Sequence, residues 1–263
     1  TWDQSFYLNN MAEWSVRNKY CPDLLLFVIP VITMNVWSEE KKLGTDEYLL
    51  TLPASDFEVV LSKYLSILCT YCISLLFSMG LVVFLNSLAD LDWGLIVANY
   101  VSYLLLGAAM LSVGMVASIL TKNNTIAFIL SLLFNAVLMF STFLAVIYDF
   151  LPISDKQVGF FKSLGFNDKG GMLNHFQDLA SGILTFSGVV YFLSIVAIML
   201  YLNMIILGKR HWERSGRNLT TQSHYLVRVA SLLLTLVALN VILTRLAWRS
   251  DLTSEKLFTF NAI

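Results

Sequence analysis

The sequence predicts an all-α fold, that of a polytopic helical integral membrane protein. Of the 263 residues, 57% are hydrophobic and only 13% are charged, about half the charged share of soluble domains. The mean hydropathy is +0.70. The charges sit between six apolar runs, and five of these exceed the ~20 residues that cross a bilayer's hydrocarbon. A net charge of −1 supplies no basic surface for nucleic acid, so the expected surroundings are membrane lipid.

Residues 1–22 carry Trp2, Phe6, Tyr7, Trp14 and Tyr20 and read as a surface segment, because aromatic side chains favour the membrane interface. The first run, 22–37, is short and contains Pro30, which predicts a kinked span extended by its flanks. Charge begins at Glu39, Glu40, Lys41 and Lys42, and Gly44-Thr45 then breaks the chain. The span is expected to leave the bilayer here, run along its surface as an elbow over 38–61, and re-enter. Ser55-Asp56-Phe57-Glu58 has the pattern of a capping box, so a helix should begin at Asp56. The further runs are 62–88, 95–120, 126–148, 184–207 and 226–248.

The connections set the expected orientation. Short loops rich in Lys and Arg face the cytoplasm. Lys209, Arg210, Arg214 and Arg217 crowd one loop, and Lys122 marks the tight turn at 121–125. With the alternation of spans, this puts the elbow, that turn and 209–224 inside. The acidic turn at 88–94 and the loop at 149–183 go outside. In that loop, Met172, Leu173, Phe176, Leu179 and Ile183 fall on one face of an amphipathic helix.

Little in the chain suggests chemistry of its own. Cys69 and Cys72 form a C-x-x-C inside an apolar run without charge or histidine nearby, and are expected to pack between helices. His175, His211 and His224 lack metal-ligand spacing and read as interfacial histidines, so no metal or catalytic residue is expected. Gly208-Lys209 approaches a phosphate-binding loop, but Asn203 stands where its first glycine belongs and Arg210 where it needs Ser or Thr. The spans hold almost no charge, unlike those of ion pumps and proton-coupled carriers. Asn86, Asn99, Asn135 and Asn203 read as interhelical hydrogen-bonding groups. Gly107, Ala108, Ala109, Ser112 and Gly114 read as a close-packing patch.

The elbow also carries a resemblance. Pro30, Thr33-Met34, Glu39-Glu40, Gly44-Thr45, Glu47 and Leu50-Thr51-Leu52-Pro53 occur in an order and spacing that resemble the permeases of type-2 ABC exporters, especially the gliding-motility-associated branch. Asn35 and Ser62 stand where that branch usually has arginine and glycine. The resemblance extends over 20–212 through Asp92-Trp93-Gly94, Gly107, Gly114, Ser118 to Thr121, His175-Phe176, Gly182 and Tyr191-Phe192. It implies a permease domain over 1–212, preceded by a first spanning helix that this chain lacks. Residues 213–263 would add a linker, an extra C-terminal span and the start of an outer auxiliary domain, since 249–259 resembles the opening of the auxiliary protein of gliding-type permeases. The chain is then expected to continue beyond Ile263.

The resemblance further implies a subunit of a bacterial cytoplasmic (inner) membrane complex. Its partners would be a cytosolic ABC ATPase and a second permease copy or homologous half. The chain itself would bind no cofactor, with ATP and Mg on the ATPase. The elbow, as a short rigid helix held between Gly44 and Pro53, would pass ATPase motion to the spans. Glu39, Glu40, Gly44, Thr45, Glu47, Leu50, Pro53, Lys122 and Asn123 are the expected coupling residues. A second reading is a mechanical or scaffolding device that relays ATPase motion to an outer domain and moves no solute. No residue pattern names a substrate.

Overall fold

The structure is a computed structural model. It describes residues 14–46, 48, 55–86, 93–140, 171–208, 231, 232, 234, 235, 238 and 249–251. The expected site residues Glu47, Leu50 and Pro53 lie outside these, as do most of the sixth apolar run and the basic loop at 209–224.

The elements in chain order are α1 (Trp14–Thr33), α2 (Asn35–Leu43), α3 (Asp56–Asn86), α4 (Trp93–Ile119), α5 (Asn124–Met139), α6 (Met172–Ala180), β1 (Ile183–Thr185), α7 (Phe186–Gly208) and β2 (Arg249–Asp251). Four candidate spans are long and apolar enough to cross a membrane: Cys21–Leu43, Asp56–Gly80, Trp93–Ile119 and Phe186–Gly208. The protein is an all-α, multi-pass membrane protein. A short antiparallel ribbon is added to it, with Ile183 opposite Asp251 and Thr185 opposite Arg249.

Helix α4 is the centre of the bundle. Its apolar window is 83% buried, whereas those of the other candidate spans are 22–39% buried. The small-residue patch makes this possible. A Cβ at Gly107 would stand 2.2 Å from Tyr71 Cζ, and one at Gly114 would stand 2.3 Å from Thr33 Oγ1. The hydroxyl of Tyr71 donates to the Tyr103 carbonyl (2.8 Å), and that of Tyr64 to the Ala108 carbonyl (3.1 Å). Tyr71 of α3 thus occupies the space left by the missing side chain of Gly107, a close approach of the kind that packs membrane helices, and Tyr64 ties α3 to α4 nearby. The C-x-x-C is split: Cys72 is half-buried, while Cys69 is exposed on the far side of α3.

Helix α3 starts where the capping box predicts. Glu58 Oε2 accepts from Ser55 N (2.9 Å), and Ser55 Oγ accepts from Glu58 N (3.4 Å). The span beginning at α1 continues further than its composition suggests. The charges at Glu39 to Lys42 do not end it, and α2 runs to Leu43. Lys41 and Lys42 lie in its last turn, where positive charge is favourable against the helix dipole.

The amphipathic helix α6 lies against the end of α4 remote from the elbow, burying Met172, His175, Phe176, Leu179 and Ala180. Tyr103 and Phe176 meet edge to face at 5.1 Å. Asn99 donates to the Leu95 carbonyl (3.0 Å) and to the Ala180 carbonyl (2.8 Å), tying the last turn of α6 to α4. His175 is packed on the buried face, with its ring 4.7 Å from that of Tyr191, so it is more enclosed than an interfacial histidine. Asn135 and Asn203 donate within their own helices, to Ser131 and Met199. Of Asn99, Asn135 and Asn203, it is Asn99 whose amide bonds to another helix.

Candidate coupling surface

At the elbow end, segments distant in sequence come together. Helix α2 stops at Gly44, whose backbone takes the left-handed conformation (φ 72°, ψ 10°) and donates its N–H to the Glu40 carbonyl. Glycine adopts this conformation without strain, so it closes helices at this position. The next amide, Thr45 N, reaches the same carbonyl (3.1 Å). Tyr48, just beyond, is 74% exposed, and Leu43 at the helix end is 69% exposed.

One side of α2 is fixed to α3 through Lys63. Its ammonium pairs with Glu40 Oε1 (2.5 Å), donates to the Val36 carbonyl (3.0 Å), and lies 4.5 Å from the centroid of the Trp37 ring. Trp37 is fully buried. Lys63 is the sole charged residue between Glu58 and Asp90. A half-buried lysine on an apolar helix is stabilised by a carboxylate, a carbonyl or an aromatic face, and here it has all three.

The other side of α2 meets α4 and the turn before α5. Lys41 Nζ donates to the Ile119 carbonyl. The Ser38 hydroxyl contacts the Met34 carbonyl and, at 2.8 Å, Asn124 Oδ1. The Ser118 hydroxyl accepts from Trp37 N (3.0 Å) and Ser38 N (3.2 Å) and donates to the Met34 carbonyl (3.0 Å). The turn orders itself by side-chain capping. Thr121 Oγ1 accepts from Asn123 N (3.1 Å), and Asn123 Oδ1 accepts from Thr125 N (2.9 Å) as the N-cap of α5.

The expected coupling residues therefore divide. Glu39, Gly44, Thr45, Lys122 and Asn123 are exposed at this end. Glu40 is half-buried and turned inward to Lys63, so it supplies no free carboxylate to the surface. The elbow residues and the turn residues lie around one surface because Ser38 joins α2 to Asn124 of that turn and Lys41 joins it to the end of α4. Sequence reasoning missed Lys63, Ser118 and Trp37. The lone charge of Lys63 in an apolar run was an available signal, whereas Ser118 figured only in the resemblance through Ser118 to Thr121, which carries no sign of its contact with α2.

A family model described as "ABC-2 family transporter protein" matches residues 23–250. The chain belongs to this family. The match starts at the first described span and includes the elbow, α4, the turn and α7. No curated protein and no solved structure matches the chain. Membership makes the chain the membrane component of an ABC-2 type transporter, a permease, and such permeases typically work with an ABC ATPase subunit. Among the described residues, no group of three or more His, Cys, Asp and Glu could hold a metal ion.

Proposed function

We propose that this permease couples ATP hydrolysis on a separate cytosolic ATPase to export or movement across the bacterial inner membrane, and that the surface around α2 and the 121–125 turn receives the ATPase. The observation that carries this reading is that Ser38 joins α2 to Asn124 of the turn while Lys41 joins it to the end of α4 just before that turn. It turns two sequence-distant segments into one rigid face beside the central helix. That face presents Leu43, Tyr48 and Leu120 as exposed apolar groups among Glu39, Lys42, Lys122 and Asn123. An apolar centre with a charged rim suits a protein partner. ATP and Mg sit on the ATPase in this reading, and a second permease copy or homologous half completes the pathway. The gliding-motility branch and the auxiliary outer domain are finer assignments resting on the elbow motif and on 249–259 alone.

The test reverses exposed charges and leaves Glu40 alone, because Glu40 is occupied by Lys63. Glu39→Lys with Lys122→Glu should abolish co-purification of the ATPase, or its stimulation, while membrane insertion is unchanged. Retention of both properties would remove this face as the docking site.

A further inference from the structure

We infer that Ser118 is a positioning residue that transmits motion of α2 to the central helix α4. The span is divided at Met34, which separates α1 from α2 while keeping right-handed helical dihedrals (φ −57°, ψ −33°) and lacks a side-chain cap. A new helix start leaves its first amides without intrahelical acceptors, and normally a local side chain caps them. Here the open first-turn amide, that of Trp37, is capped from another helix. Ser118 takes the amides of Trp37 and Ser38 and gives its own proton to the Met34 carbonyl. A hydroxyl has one proton and two lone pairs, so all its capacity is used, and Ser118 is fully buried.

These bonds go to the α2 backbone, not to mobile side chains. Displacement of α2 cannot proceed without moving Ser118 or breaking its contacts. One turn earlier on α4, Gly114 lets Thr33 and Ser131 approach closely. Thr33 and Ser131 share a hydrogen bond of 3.2 Å, so the seam above the joint is also closed. Since α4 packs against α1, α2, α3, α5, α6 and α7, a push delivered at Ser118 reaches the whole bundle. The inference deepens the coupling role proposed above and rests on it for its functional meaning, but its geometric content stands separately.

The experiment uses the full chain in lipid nanodiscs, with Cys21, Cys69 and Cys72 replaced. Nitroxides are placed at Leu43→Cys on α2 and Val97→Cys on α4, both exposed positions, and the distance distribution is read by pulsed dipolar spectroscopy. Ser118→Ala should broaden or displace the distribution by several ångströms. Ser131→Ala removes a hydroxyl from the same seam without touching α2 and should leave it narrow. An unchanged distribution in Ser118→Ala, or equal broadening in Ser131→Ala, would overturn the inference. Co-purification of the ATPase with unmodified chain is measured in parallel. Its failure would remove the docking role and leave the label result to decide on Ser118.

Discussion

Lys63 holds Glu40 across two helices, 23 residues apart in sequence, with the lysine side chain 17% and the glutamate side chain 33% exposed. The pair ties α2 to α3 beside the buried Trp37. Lys63→Met keeps the stem and removes the charge. It should lower stability by about 1.5–3 kcal/mol, the range for hydrogen bonds to charged groups, as measured by thermal unfolding in detergent. A double-mutant cycle with Glu40→Gln isolates the pair. A coupling energy within error of zero would mean that the carbonyl and ring contacts of Lys63 do the holding.

Gly107→Ala sets two effects against each other. Alanine gains about 1 kcal/mol over glycine in helix propensity, while overpacking costs about 1–3 kcal/mol. The Tyr71 ring lies in the way, and its hydroxyl is tied to the Tyr103 carbonyl, so packing should win and the variant should be destabilised. With Tyr71→Leu in the background, the same substitution should become neutral or stabilising. Persistent destabilisation there would point to another cause.

The docking of α6 should depend on pH. Burial pushes the His175 pKa below its usual 6.5, and the nearby Asp178 only partly opposes this. Its ring partner from α7, Tyr191, carries no charge at these pH values. A depressed value means that the docked state prefers neutral imidazole. The unfolded segment then binds the proton more readily. Docking is therefore at full strength above about pH 6.5 and weakens as pH falls through the lower docked value. A cysteine at Ala180, buried against α4, should be labelled faster at acidic pH, and His175→Phe should flatten that dependence. A labelling rate independent of pH in the unmodified helix would exclude this role.

Orientation is testable at exposed positions at opposite ends of the bundle. In intact cells, a cysteine at Asn123 should be protected from impermeant reagents and one at Asp178 should react. The basis is the basic loop at 209–224 with the alternation of spans. The reversed pattern would invert the topology.

Much of the bundle was legible in the sequence because its signals are local. The Ser55–Glu58 box marks the start of α3, Gly44 marks the end of α2, and the Gly107–Gly114 patch marks the close-packed face of α4. The elbow was read less well. The onset of charge at Glu39 suggested a departure from the span, yet charged residues are good helix formers, and the chain stays helical until glycine ends it. Glu40 looked like a surface acid because its partner lies in the next span. The three bonds of Ser118 depend on the approach of α4 to a helix start, which no spacing within one segment encodes.

The burial of α4 has a consequence for how the protein experiences its bilayer. At 27 residues and 1.5 Å per residue, it is about 40 Å long, roughly 10 Å more than a typical hydrocarbon core. A lone helix of that length would tilt or distort the surrounding lipid to hide the excess. This one is sheathed by its neighbours, so acyl chains hardly touch it, and lipid thickness does not set its tilt. Thinner or thicker membranes act on the outer helices α1, α3 and α7, which slide or lean against a strut whose own position is set by protein contacts.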